Sequence, residues 1–243
     1  MQLDKILFID IETVPQKELF EKLPANIAEL WAEKYAQLKS RNSEKYLAYN
    51  SEKEAFEDFA GIYAEFGKII CISVGYIYFD ANKTMHFRSK SFYGHDEKQL
   101  LAEFTAIIER FFTSKEHTFC GHNIKEFDIP YICRRLLVNR IPIPFPMQIA
   151  GKKPWEINFI DTLELWKFGD YKNYTSLKLL TAIFDIPTPK DDIDGSQVSE
   201  IYYKEKNMER IVVYCQKDVF ATAQLYLCLN NRSMINTDFV EYV

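Results

Sequence analysis

The sequence is poor in features that mark several protein classes. No run approaches the roughly eighteen uninterrupted apolar residues that a membrane-spanning helix needs. The opening residues Met1-Gln2-Leu3-Asp4-Lys5 lead straight into a strand-like segment, so neither a signal peptide nor a membrane span is expected. The five cysteines (Cys71, Cys120, Cys133, Cys215, Cys228) show no paired metal-ligand spacing and sit in apolar stretches, which predicts reduced core residues of a cytoplasmic protein. Internal repeats and low-complexity tracts are missing. So is an excess of basic charge: 30 Lys and Arg stand against 35 Asp and Glu, for a net charge of −5. A basic balance would point directly at nucleic acid. Its absence does not exclude that substrate, because an enzyme acting through divalent cations carries acidic ligands, and bound cations reverse the local sign.

Apolar material is plentiful. Of 243 residues, 47% are hydrophobic and 15% aromatic, enough for one large core and a single domain over 1–243. Residues 5–13 (KILFIDIET) alternate and are rich in β-formers, predicting a first strand. Residues 16–66 are polar, with Leu19, Phe20, Leu30, Trp31, Tyr35, Leu38, Phe56 and Phe59 at helix-like spacing. They read as a helical insert between the first two strands, interrupted near Pro24 and residues 42–50, with Trp31 and Phe56 attaching it to the body. Strands at 68–79 and 83–92 flank a turn at Asp80. Asp96 and Gln99 form a capping pair for a helix reaching Phe112. Residues 118–121 read as a short buried strand, and Pro130 places a helix start near Asp128. Residues 140–156 form an ordered loop, 156–160 a further strand, and Asp161 a cap for the next helix. The remainder is read as helical, ending in a long helix over about 207–229. Strands first and helices later predict an α/β domain with a mixed sheet.

Three segments carry candidate chemistry. Asp10 and Glu12, two apart on a strand, share a face while Ile9 and Ile11 turn into the core. Adjacent carboxylates at the end of a buried strand repel each other, which a cation would relieve; an edge strand with a solvated acidic face fits the same pair. Gly121-His-Asn-Ile-Lys-Glu-Phe-Asp128 lies at a strand–helix junction, where Asp128 reads equally as a cap and His122 as a hydrogen-bonded structural residue. Tyr214 and Asp218, four apart on a helix, share one face.

Taken in order, D-x-E, N-x-x-x-F-D and Y-x-x-x-D resemble the three exonuclease motifs of the DnaQ-like (DEDD) superfamily in its tyrosine variant. The wording Phe8-Ile-Asp-Ile-Glu-Thr13, Gly121 to Tyr131 and Tyr214-Cys-Gln-Lys-Asp218 is similar to the proofreading domains of family B DNA polymerases, and most of all to the stand-alone bacterial exonucleases related to them. Phe66-Gly-Lys-Ile-Ile70 and the segment from Pro189 to Val198 are similar to that stand-alone group. The resemblance implies an RNase H-like fold and a metal-dependent 3′→5′ exonuclease holding two divalent cations, Mg²⁺ or Mn²⁺. It implies Asp10, Glu12, Asp128 and Asp218 as metal ligands, with Asp10 bridging, and Tyr214 orienting the attacking water. The sister variant's histidine would fall at Val213. Ile11, Thr13, Asn123, Phe127 and Lys190 become candidate contacts to the substrate, though Phe127 could equally belong to the core. Arg134, Arg135, Lys152, Lys153 and Lys172 are further candidates for gripping the strand. The substrate implied is a single-stranded 3′ end, DNA favoured over RNA. An RNA 3′-end trimmer uses the same four acids, and a non-catalytic nucleic-acid or protein-binding module can sit on the same fold. The 16–66 insert leaves a protein partner open.

Overall fold

The computed structural model describes residues 2–41, 48–170, 174–187 and 193–243. In chain order the elements are β1 (Ile6–Pro15), α1 (Ala25–Arg41), α2 (Glu52–Phe59), β2 (Gly67–Phe79), β3 (Met85–Tyr93), α3 (Glu97–Phe111), β4 (Thr118–Gly121), α4 (Asp128–Val138), β5 (Ile160–Asp161), α5 (Thr162–Lys167), α6 (Leu177–Ile183), α7 (Met208–Leu229) and β6 (Val240–Tyr242). Short 3₁₀ turns, a three-residue α-helical turn (Val198–Glu200) and one π turn (Ile201–Glu205) join them. Among the described residues no helix is long and apolar enough to cross a membrane.

The strands form one mixed sheet in the order β5-β4-β1-β2-β3-β6. β1, β2 and β3 run antiparallel in succession, β4 is parallel to β1, β5 to β4, and β6 to β3. Successive side chains of a strand point to opposite faces, so β1 feeds two cores. Leu7, Ile9 and Ile11 pack with α3 and α4 residues such as Leu101, Phe104, Ile132 and Leu136. Ile6 and Phe8 pack on the other face against Val219, Phe220 and Tyr226 of α7. A mixed sheet covered by helices on both faces is the expected RNase H-like α/β class.

Local chemistry accounts for the helix starts. Asp96 accepts the Gln99 N–H at 3.1 Å, and Asn207 accepts that of Arg210 at 3.2 Å. Pro130 falls in the first turn of α4, where no N–H partner is needed. Between β1 and β2, α1 and α2 gather a small core of their own. Trp31, fully buried, meets the rings of Phe66 and Phe56 at 5.0 and 5.5 Å and donates its indole N–H to Glu52 O at 2.7 Å. A tight corner ties this segment to the body. The Tyr131 hydroxyl donates to Gly61 O at 2.7 Å, and a Cβ at Gly67 would lie 2.2 Å from that hydroxyl, so only glycine fits there.

The structure corrects several expectations. Residues 154–156 are a 3₁₀ turn, not the start of a strand, because Pro154 opens it and the Glu156 carboxylate accepts the Lys153 N–H at 2.7 Å. Asn158 O is taken by the Thr118 hydroxyl, so β5 shrinks to two residues. The C-terminal part is not wholly helical: β6 adds an edge strand, pinned by Glu241 to Arg88 and Tyr78. Leu19 and Leu30 are exposed and anchor nothing. Residues 42–47 of the expected interruption, and residues 189–192 of the segment from Pro189 to Val198, lie outside the described residues.

Candidate active site

β1 leaves β4 early. Their pairing ends at Phe8–Cys120, while β1 continues to Pro15 alongside β2. The unpaired β1 edge at residues 10–13 thus opens where the chain turns from β4 into α4. The Asp128 carboxylate lies at this gap, close enough to the Ile11 backbone for it to lower the carboxyl's pKa. On the β2 side the register slips between Glu12 and Thr13, with Ile70 the extra residue, a bulge of the kind that re-aims side chains near sites.

A cleft of about 450 Å³ lies over this opening. Asp10, Ile11, Glu12 and Thr13 from β1, Asn123, Phe127 and Asp128 from the β4–α4 junction, and Tyr214 and Asp218 from α7 all line it. The expected catalytic residues and the expected contacts Ile11, Thr13, Asn123 and Phe127 therefore share one cleft, whereas Arg134, Arg135, Lys152 and Lys153 do not line it; Lys190, like Lys172, lies outside the described residues. Phe127 packs on the core beside Tyr131 and also lines the cleft. Arg135 does not grip substrate. It is buried and forked onto Glu97, whose carboxylate offsets the cost of taking the guanidinium out of water. Arg134, Lys152 and Lys153 are exposed. Lys153 stacks over Trp155 at 5.1 Å.

Electrostatics in the cleft are strained. Burial, then the charges of Asp128 and Asp218, push the Asp10 carboxyl well above its ordinary range. Burial, then Asp10 and Asp218, do the same to Glu12, and burial lifts Asp128 to about 7. Among the described residues no lysine or arginine forms an ion pair with Asp10, Glu12 or Asp128. Ligand atoms of Asp10, Glu12 and Cys215 lie within 4.8 Å of one another. This cluster of buried, mutually repelling, oxygen-rich groups fits hard divalent cations, whose charge would relieve the repulsion. Burial, followed by the nearby carboxylates of Asp218, Glu12 and Asp10, raises the pKa of the Tyr214 hydroxyl and keeps the phenol protonated.

Several contributors were not expected from the sequence. Cys215 is not in purely apolar surroundings: its thiol lies 3.4 Å from Asp10 Oδ2 and lowers that carboxyl's pKa. The far wall of the cleft is made by Asp58, Phe59, Gly61 and Ile62, at the end of the segment between β1 and β2, and by Tyr174, Gly195, Ser196 and Ser199. Only the Pro189–Val198 wording hinted at Gly195 and Ser196. His122 is the structural residue expected of it. Thr175 O can only accept, so Nε2 carries the proton (2.9 Å) and Nδ1 accepts from the Thr162 hydroxyl (2.9 Å).

No curated protein matches the chain. A family model described as a predicted 3′-5′ exonuclease related to the exonuclease domain of PolB matches residues 57–239. That span holds Asn123, Phe127, Asp128, Tyr214 and Asp218 and begins after Asp10 and Glu12. Because it covers most of the sequence, the chain belongs to this family of predicted 3′-5′ exonucleases related to the PolB exonuclease domain.

Proposed function

We propose that the chain is a metal-dependent 3′→5′ exonuclease of the tyrosine type, akin to stand-alone bacterial enzymes, that removes nucleoside 5′-monophosphates from single-stranded 3′ ends, DNA before RNA. The observation that carries this reading is the meeting of Asp10, Glu12, Asp128, Asp218 and Tyr214, from three distant segments, in one cleft. Asp10, Glu12, Asp128 and Asp218 would hold two divalent cations, Mg²⁺ or Mn²⁺. When bound, such ions lower the pKa of water, neutralise phosphate charge and stabilise the leaving 3′-oxygen.

The chain's own groups do the rest. Tyr214 stays a protonated phenol among the carboxylates, so it orients a water through its hydroxyl and is no base. Asn123 and Phe127 on one wall, with Ile11 and Thr13 at the floor, contact the terminal nucleotide. Lys190 joins them as a proposed contact by motif position. Residues 1–243 act as a single exonuclease domain, and the 16–66 insert supplies Asp58, Phe59 and Ile62 as the facing wall. Apolar and aromatic surface on both sides suits unstacked bases, hence single strands.

The test is incubation of purified protein with 5′-labelled single-stranded DNA and RNA, with Mg²⁺, Mn²⁺ or EDTA. The expected result is a cation-dependent ladder shortening from the 3′ end, stronger on DNA. Full activity in excess EDTA would overturn the metal-dependent reading, and a ladder on RNA alone would reassign the substrate.

A further inference from the structure

Asp161 ends β5 and is almost fully buried, 3% exposed, beside Gly121 of β4. Its Oδ1 accepts the N–H groups of Leu163 at 2.9 Å and Glu164 at 3.4 Å, which caps α5. The same carboxylate also reaches across the chain: Oδ1 accepts the Asn123 N–H at 3.0 Å, and Oδ2 accepts that of Lys125 at 3.2 Å. Neighbours reinforce the link. Thr162 holds the His122 ring, and Glu164 pairs with Lys125 Nζ at 2.6 Å. Residues 121–125 are thus fastened at successive points to the start of α5. Asn123 sits there with φ +66°, a left-handed conformation that non-glycine residues seldom adopt without support. Three residues after Lys125, the chain delivers Asp128 to the cleft that Ile11 also lines.

We infer that Asp161 is a positioning residue: its carboxylate fixes the β4–α4 turn so that Asn123 faces the cleft and Asp128 meets β1. This rests on the exonuclease reading proposed above. Capping alone does not explain an aspartate here. A serine or threonine caps a helix about as well. What the shorter hydroxyl side chains lack is a second oxygen to reach Lys125 while the first holds Asn123.

The test compares wild type with Asp161→Ser, which keeps a cap for α5 and gives up the cross-chain bonds. Asp96→Ala, which uncaps the remote helix α3, serves as the control for general destabilisation. Calorimetric Mn²⁺ binding to the cation-free protein and single-strand hydrolysis are both read. Asp161→Ser should weaken Mn²⁺ binding about tenfold and lower kcat about 10- to 100-fold, as loss of groups that orient metal ligands does. Asp96→Ala should leave both unchanged. Wild-type Mn²⁺ affinity and kcat in Asp161→Ser would reduce Asp161 to a cap and overturn the inference, as would an equal kcat loss in Asp96→Ala. If the serine variant does not fold, Asp161→Asn replaces one acceptor oxygen with a donor and should move both readings the same way; wild-type values there overturn the inference. A wild type that binds Mn²⁺ yet cleaves no strand, with binding weakened in Asp161→Ser, would sink the exonuclease reading while leaving the positioning role standing.

Discussion

Arg135 holds Glu97 with two parallel hydrogen bonds, Nε to Oε1 at 2.8 Å and Nη2 to Oε2 at 2.6 Å, both side chains buried. The same carboxylate takes the Ile69 N–H at 2.7 Å and the Asn139 amide at 2.9 Å, while Arg135 Nη1 donates to Ala64 O at 2.8 Å. The pair joins α3, α4 and the start of β2 behind the cleft. Removing one partner strands a buried charge. Arg135→Ala should therefore cost about 3–5 kcal/mol in urea unfolding, and Arg134→Ala, one residue away but exposed, within about 0.5 kcal/mol of nothing. Equal effects of the two would show that the fork contributes no stability.

Asp218 and Tyr214 share a helix face, and the proposed function gives them different roles. Asp218→Ala should weaken cation binding and abolish turnover together. Tyr214→Phe should bind cations as wild type does while single-turnover hydrolysis slows about 10²-fold, the low end for a positioned group. A Tyr214→Phe variant cutting at the wild-type rate would end the tyrosine-type assignment.

Burial holds the His122 imidazole below its ordinary pKa of 6.5. The neutral ring is the form bonded to Thr162 and Thr175, so the folded state binds the proton more weakly than the unfolded chain. The stability it contributes is then fully present above about pH 6.5 and is lost as pH falls toward the folded value. Thermal unfolding at about pH 7.5 and about pH 5.5 should show wild type losing more stability on acidification than His122→Gln. A parallel response of the two proteins would remove this role.

Ile62 is 42% exposed on the cleft wall, so truncating it should leave folding intact. Ile62→Ala should raise KM for a single strand about fivefold, matching roughly 1 kcal/mol of lost apolar contact, with cation affinity unchanged. Unaltered kinetics would detach the insert from substrate handling.

Local signals in the sequence were read well where they act locally. The alternation of Phe8 to Thr13 set which face the two acids share, and Asp96, Asp161 and Pro130 marked helix starts through bonds made within a few residues. What stayed hidden depends on distant partners. Arg135 looked like a surface cation because Glu97 lies 38 residues away. Asp161 read as a cap because its other bonds reach 36 and 38 residues back. β6 is three residues long, too short for any periodicity. Thr118 hydrogen-bonds the stretch expected to begin β5, a tertiary contact with no local sign. The segment between β1 and β2 is legible as a helical insert beside the cleft mouth, but which of its residues line the cleft follows from the Gly61–Tyr131 corner, which has no local sign.

The most direct test of the central claim is release of nucleoside 5′-monophosphates in Mn²⁺ from one single-stranded DNA sequence, supplied linear and closed into a circle, by wild type and by Asp10→Asn. The account predicts that wild type consumes the linear strand and spares the circle, and that Asp10→Asn releases nothing from either. Cleavage of the circle by wild type, or undiminished release by Asp10→Asn, would contradict it.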